Sequence, residues 1–204
     1  MQKWMKVLVS AAALGCAFTA SDAWAAVTGS AGGPPTAMTL APAKNNAKLT
    51  VTSSSFQNNA SISDTYTQNG QNQSPALSWT AGPAGTQSYV VLTEDTGVQR
   101  PEPIDHWVIY DIPANTMSLS QGMSKDAKPS TPSGAMQGTN IAKSVGYVGP
   151  KPPAGQTHPY HFEVFALDTK LSLDPARADR TAVVNAMKGH VLASGEIVGN
   201  YTGK

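Results

Sequence analysis

Two side chains able to handle an anion stand at the mouth of one aromatic stretch. His158 and Tyr160 open the run His158-Pro-Tyr-His-Phe-Glu-Val-Phe-Ala-Leu-Asp168, with two residues between it and the loop Gly146-Tyr-Val-Gly-Pro-Lys-Pro-Pro-Ala-Gly155. Prolines fix φ and glycines permit turns, so a stiff loop delivers these residues onto a strand. Side chains alternate along a strand, which puts His158, Tyr160 and Phe162 on one face and His161, Glu163 and Phe165 on the other. An imidazole and a phenol beside glycine-rich backbone N–H groups make a small anion cradle. The same residues also suit a crossover loop whose His and Tyr cap a sheet edge.

Other chemistries find less support. No Gly-x-Ser-x-Gly elbow or Ser-x-x-Lys motif is present, and the only cysteine, Cys16, lies in the N-terminal leader. Residues three apart on a strand face opposite ways, so His158 and His161 do not form a metal pair, and no metal or cofactor is expected. His190 follows Gly189 at a helix end, where a cation suits the macrodipole. Tyr147 and Trp79 read as aromatics of the core or a pocket wall.

The elements that position these groups are mainly strands. Leu49-Thr-Val-Thr-Ser53, Ser88-Tyr-Val-Val-Leu-Thr93, His106-Trp-Val-Ile-Tyr110, Tyr160 to Leu167 and Ala193 to Val198 alternate or are rich in β-branched and aromatic residues, with Gly, Pro, Asn and Ser between them. Alternation places Val108 and Tyr110 on the face of His106, and Trp107 and Ile109 on the other. One helix is expected over Asp179–Gly189, with an acidic start, a basic last turn and a terminal glycine. A shorter helical turn is expected at Asp174-Pro-Ala176. The polar stretch Ser118–Lys143 reads as a long excursion near the rim of the site.

Lys3 and Lys6, an apolar run from Val7 to Ala20 and Ala23-Trp-Ala25 have the plan of a secretory signal peptide over residues 1–25, with cleavage after Ala25. Lipidation at Cys16 is the lesser alternative. An exported, periplasmic or secreted chain follows, with no transmembrane segment once the leader is removed. Residues 26–48 carry almost no large apolar side chain and read as a flexible lead, so the domain is expected over residues 49–204. The whole chain carries 14 basic and 13 acidic residues, and the leader holds Lys3, Lys6 and Asp22. A mature chain near neutrality has no electrostatic call on nucleic acid.

Four ordered blocks resemble the phosphatidylethanolamine-binding protein family, in its bacterial Raf-kinase-inhibitor-like branch: Asn72-Gln-Ser-Pro-Ala-Leu-Ser-Trp79, Val91-Leu-Thr-Glu-Asp95, His106-Trp-Val-Ile-Tyr-Asp-Ile-Pro-Ala114 and Gly146 to Asp168. The resemblance implies an antiparallel β-sandwich, mainly β, with one or two short C-terminal helices. It also implies a non-catalytic pocket for phosphate-like or carboxylate-like groups, such as a phospholipid head group or another phosphorylated ligand. The pocket would be formed by Asp95, His106, Gly149, His158 and Tyr160, with Gly149 supplying backbone N–H. Two histidines brought so close repel when both are charged, so at least one is expected to be neutral near pH 7. Where the family motif reads Asp-Pro-Asp-x-Pro, this chain has Asp95-Thr-Gly-Val98, which removes a carboxylate. Glu94 or Asp105 are the candidates to replace it, although Glu94 alternates away from Asp95. Lys151 at the rim would favour anions if it points inward. Other readings are a protein-interaction module that inhibits a protease or kinase through its loops and, more remotely, a hydrolase.

Overall fold

The computed structural model describes residues 33–204, so the leader and its cleavage site lie outside the described residues. Two sheets pack face to face. The smaller has the order β1-β3-β6, from β1 (Val51–Thr52), β3 (Leu77–Trp79) and β6 (Ser118–Leu119). The larger has the order β2-β9-β8-β4-β5-β7, from β2 (Ala60–Ser61), β4 (Ser88–Asp95), β5 (Ile104–Pro113), β7 (Met136–Gln137), β8 (Thr157–Leu167) and β9 (Val191–Thr202). Pairing is antiparallel throughout except between β2 and β9, which run parallel.

Every residue of β4 is buried, because both faces of the large sheet are covered. On the inner face Tyr89 and Val91 of β4, Trp107 and Ile109 of β5, and Phe162 and Val164 of β8 meet Val51, Leu77, Trp79 and Leu119 of the small sheet. On the outer face Val90, Leu92, Val108, Tyr110, Phe165 and Leu167 meet a helix, α2 (Arg180–Met187), through Val183, Val184 and Met187. Each large apolar side chain buried this way contributes roughly 1.5–3 kcal/mol. Asp179 caps α2 by accepting from the Ala182 N–H at 2.9 Å, and Gly189 follows its end at φ 79°. Asp174 likewise caps the short 3₁₀ turn Pro175–Arg177.

The lead expected to be flexible is, from Gly33 onward, a strap on the outer face. A short helix α1 (Ala37–Leu40) buries Ala37, and Ala41 is buried after it. Small apolar residues anchor the strap where large ones are lacking, because polar groups of the sheet face receive its backbone. The Ala37 N–H donates to Glu94 at 2.9 Å and the Met38 N–H to Glu163 at 3.1 Å, while Arg180 donates to the Pro35 carbonyl at 3.0 Å. The packed region thus starts well before Leu49.

Residues 118–143 also depart from an excursion at the rim. They contribute β6 and β7 and are pinned by buried Gln137, which accepts from the Trp107 indole at 2.7 Å and donates to the carbonyls of Ser124 and Asp126. Of this stretch, Ile141 reaches the main cavity.

Candidate functional site

His106 reaches the site through a β-bulge. The register between β4 and β5 shifts between Thr93, which faces Trp107, and Glu94, which faces Asp105, leaving His106 as an extra residue. Strict alternation predicts His106 on the face of Val108 and Tyr110. The bulge turns it instead to the inner side, with Trp107 and Ile109, and into the cavity. There its ring stands edge-on to Tyr160, with centroids 5.2 Å apart and an interplanar angle of 80°.

The proline-rich loop closes on this bulge from both directions. The Val148 N–H donates to the His106 carbonyl at 2.9 Å, and Nδ1 of His106 donates to the Val148 carbonyl at 2.8 Å. Nδ1 is therefore the protonated nitrogen, and Nε2 presents a lone pair. Burial holds the His106 imidazole below its ordinary pKa of 6.5, partly opposed by its backbone partner and Asp95. This is the neutral histidine required when two lie close together.

Asp95 ends β4 directly opposite Tyr160 in β8. Its carboxylate accepts from His158 Nδ1 at 2.8 Å through Oδ2, and from the Gly97 N–H at 2.8 Å through Oδ1. His158 Nε2 lies 3.3 Å from Gln156 Oε1. Gly97 lies flat on the His158 ring, where a Cβ would fall 2.5 Å from Cγ. Thr96-Gly-Val98 thus forms a tight lid on the imidazole. Thr96 itself turns away, and its hydroxyl lies 3.1 Å from His161 Nε2.

These groups border a cavity of about 610 Å³. Asp95, His106, His158 and Tyr160 form its floor, and Val98, Ile104, Ile141, Pro152 and Pro153 give it an apolar flank. Two floor atoms, His106 Nε2 and the Tyr160 hydroxyl, are buried and make no well-formed hydrogen bond among the described residues, although the Asp95 carboxylate and the Lys151 backbone lie near the Tyr160 hydroxyl. Such groups are costly to bury unmatched, so they point to a ligand that completes them. Burial, followed by the Asp95 charge, raises the Tyr160 phenol far above its ordinary pKa, so it stays a neutral donor.

Gly149 does not supply N–H to this cavity. Its N–H donates to Asn72 Oδ1 at 2.7 Å, and its carbonyl accepts from Gln68 Nε2 at 2.8 Å. A Cβ there would fall 2.3 Å from the Tyr66 carbonyl oxygen, so glycine is needed for close packing of the loop on residues 66–72. Neither candidate replaces the missing carboxylate. Glu94 is bound to Arg180 at 2.6 Å on the outer face, and Asp105 lines an adjoining cavity of about 140 Å³ with Asp179 and Arg180, which shares Arg100 and Ile141 with the main one. Burial raises the Asp105 carboxyl to about 6.

His161 lies on the outer side, 2.8 Å from Glu196, and His190 is exposed and paired with Asp168 at 2.7 Å. Tyr147 is core, with its hydroxyl donating to the Tyr66 carbonyl at 2.7 Å. Lys151 does line the cavity. Sequence reasoning missed Gln68, Gln99, Arg100 and Gln156. Only Gln156 had a usable signal, its place two residues before His158.

The family model for phosphatidylethanolamine-binding protein matches residues 52–202. A UPF0098 protein of Methanothermobacter thermautotrophicus is 37% identical over 147 residues, covering 72% of this chain and 93% of its own length. Another from Aquifex aeolicus is 39% identical over 157 residues, covering 75% and 88%. Among solved structures, Escherichia coli YbcL, described as a member of the mammalian PEBP family, has 28% identity and a TM-score of 0.72 over 78% of this chain and 100% of its own. A phosphatidylethanolamine-binding protein homolog from Chlamydia trachomatis has 29% identity and a TM-score of 0.68 over 77% and 99%.

Proposed function

Because this chain belongs to the phosphatidylethanolamine-binding protein family, we propose that it is an exported binding protein whose cavity takes a phosphate-like or carboxylate-like group without turning it over. The observation that carries this reading is the pair of buried atoms without a well-formed hydrogen bond, His106 Nε2 and the Tyr160 hydroxyl, on the floor of an open cavity. One ligand oxygen accepts from Tyr160. A second meets His106 Nε2, by donating its own proton if it is a P–OH or by drawing a proton onto the imidazole if it is fully ionised. The Asp95–His158 pair holds the neighbouring wall. Among the described residues no Ser, Thr or Cys lines the cavity, and the Tyr160 phenol is held neutral, which favours recognition over nucleophilic chemistry. The basic, apolar and small-residue plan of residues 1–25 supports export to the periplasm or beyond.

The test is titration of the mature protein with inorganic phosphate, phosphorylated head groups and simple carboxylates while following the histidines by NMR. Signals of His106 and His158 are expected to move. Loss of a hydrogen bond to an anion costs about 1.5–3 kcal/mol, so His106→Ala and Tyr160→Phe should each weaken binding at least tenfold. Since burial keeps His106 neutral and a bound anion favours the imidazolium, binding takes up a proton. Affinity should therefore rise as pH falls from 8 toward 6. Silence at both histidines across the whole series would refute the pocket.

A further inference from the structure

The charge pattern around the cavity bears on what the rest of the ligand carries. Asp95 is the one acidic residue among those lining it. Its side chain is 4% exposed, and both oxygens are engaged by Gly97 and His158. Buried under the turn at Gly97 and already accepting from two donors, it lies away from the rim where an ammonium group would sit. Glu94 and Asp105 lie outside the cavity, as described above. The rim instead carries two exposed cations, Lys151 and Arg100, neither in an ion pair among the described residues, and Arg100 also borders the adjoining cavity with Glu102, Asp105 and Asp179. Arg100 belongs to the segment that follows Thr96-Gly-Val98, so the wall that lacks the second carboxylate presents a guanidinium.

Building on the anion pocket, we propose that the cavity selects small organic phosphates bearing a second negative charge over those bearing an ammonium, with Arg100 and Lys151 as the residues that discriminate. The volume of about 610 Å³ exceeds what a lone phosphate fills and leaves room for a short organic body against Val98, Ile104 and Ile141. With the phosphate on the floor, a carboxylate or second phosphate at the outer end of that body meets the two cations. An ammonium there meets the same cations and finds no carboxylate beyond the buried Asp95 among the lining residues.

Calorimetry with three matched phosphomonoesters separates the possibilities: phosphoglycolate, propyl phosphate and O-phosphoethanolamine, which end in a carboxylate, a methyl and an ammonium. Phosphoglycolate is expected to bind tightest and O-phosphoethanolamine weakest, with a ratio of about 10 at low ionic strength that shrinks as salt is added. In the double variant Arg100→Gln, Lys151→Gln that ratio should fall to about 2, as both side chains are exposed and the fold is retained, which circular dichroism checks. Equal or tighter binding of O-phosphoethanolamine while all three bind overturns the selectivity and leaves the anion pocket standing. A ratio that persists in the double variant overturns the role of Arg100 and Lys151. Failure of all three to bind overturns both readings.

Discussion

The outer face holds a second group of buried charges, distinct in role from the pocket. Glu94 and Arg180 pair at 2.6 Å with almost no exposure, and Glu163 stands beside them. Burial, and then the charge of Glu94, pushes the Glu163 carboxyl well above its ordinary pKa of 4.5. The folded chain therefore keeps a proton at Glu163 to higher pH than the unfolded chain does. Its contribution to stability is complete below about pH 4.5 and is lost as pH rises through the raised folded value. Glu163→Gln can still accept from the Met38 N–H and no longer titrates. It should match the parent near pH 5 and exceed it at pH 8 by about 1 kcal/mol or more, as read by urea denaturation at both pH values. An unchanged difference between the two pH values would show that Glu163 is not the titrating group. At this scale the sequence was readable for faces: alternation along β8 separated His158 and Tyr160 from His161 and Glu163. It was not readable for partners, because nothing in a strand pattern says which oxygen lies beside which nitrogen.

Elements decide how those faces become a site. The long strands β4, β5, β8 and β9 and the helix α2 were legible, because their periodicity runs over several residues. The two-residue strands β2, β6 and β7 have no period to read and exist only through their partners. The bulge at His106 is the clearest example of what pattern alone misreads, since one extra residue reverses the predicted face. The turn after Asp95 works by the opposite means, through a missing side chain. Gly97→Ala would place a methyl 2.5 Å from His158 Cγ and push the imidazole off Asp95. Overpacking of this kind costs about 1–3 kcal/mol. Phosphate affinity should fall roughly tenfold or more, as expected when a charged hydrogen bond is lost, with the protein still folded. Calorimetry beside thermal unfolding checks this, and an unchanged affinity would mean that the His158 position is not needed.

At the largest scale the described residues form a sandwich whose large sheet is covered twice, by the small sheet inside and by α2 with the strap outside. A chain starting at Leu49 lacks the Ala37 and Met38 N–H groups and the Pro35 carbonyl that satisfy Glu94, Glu163 and Arg180. Removing partners from buried polar or charged groups costs about 1–3 kcal/mol each. That truncation should lose about 3 kcal/mol or more in urea denaturation relative to a chain starting at Ala26. Equal stability would put the working boundary at Leu49 after all. By itself the sequence determined most of the strand faces, the family and the four titratable or phenolic residues of the floor, because these reside in local pattern and residue type. Only the tertiary structure decided that His106 turns inward, that Gly149 packs without presenting its N–H, that the strap belongs to the fold and that Arg100 faces the cavity. Each of these depends on groups far apart in the chain competing for the same space and the same hydrogen bonds.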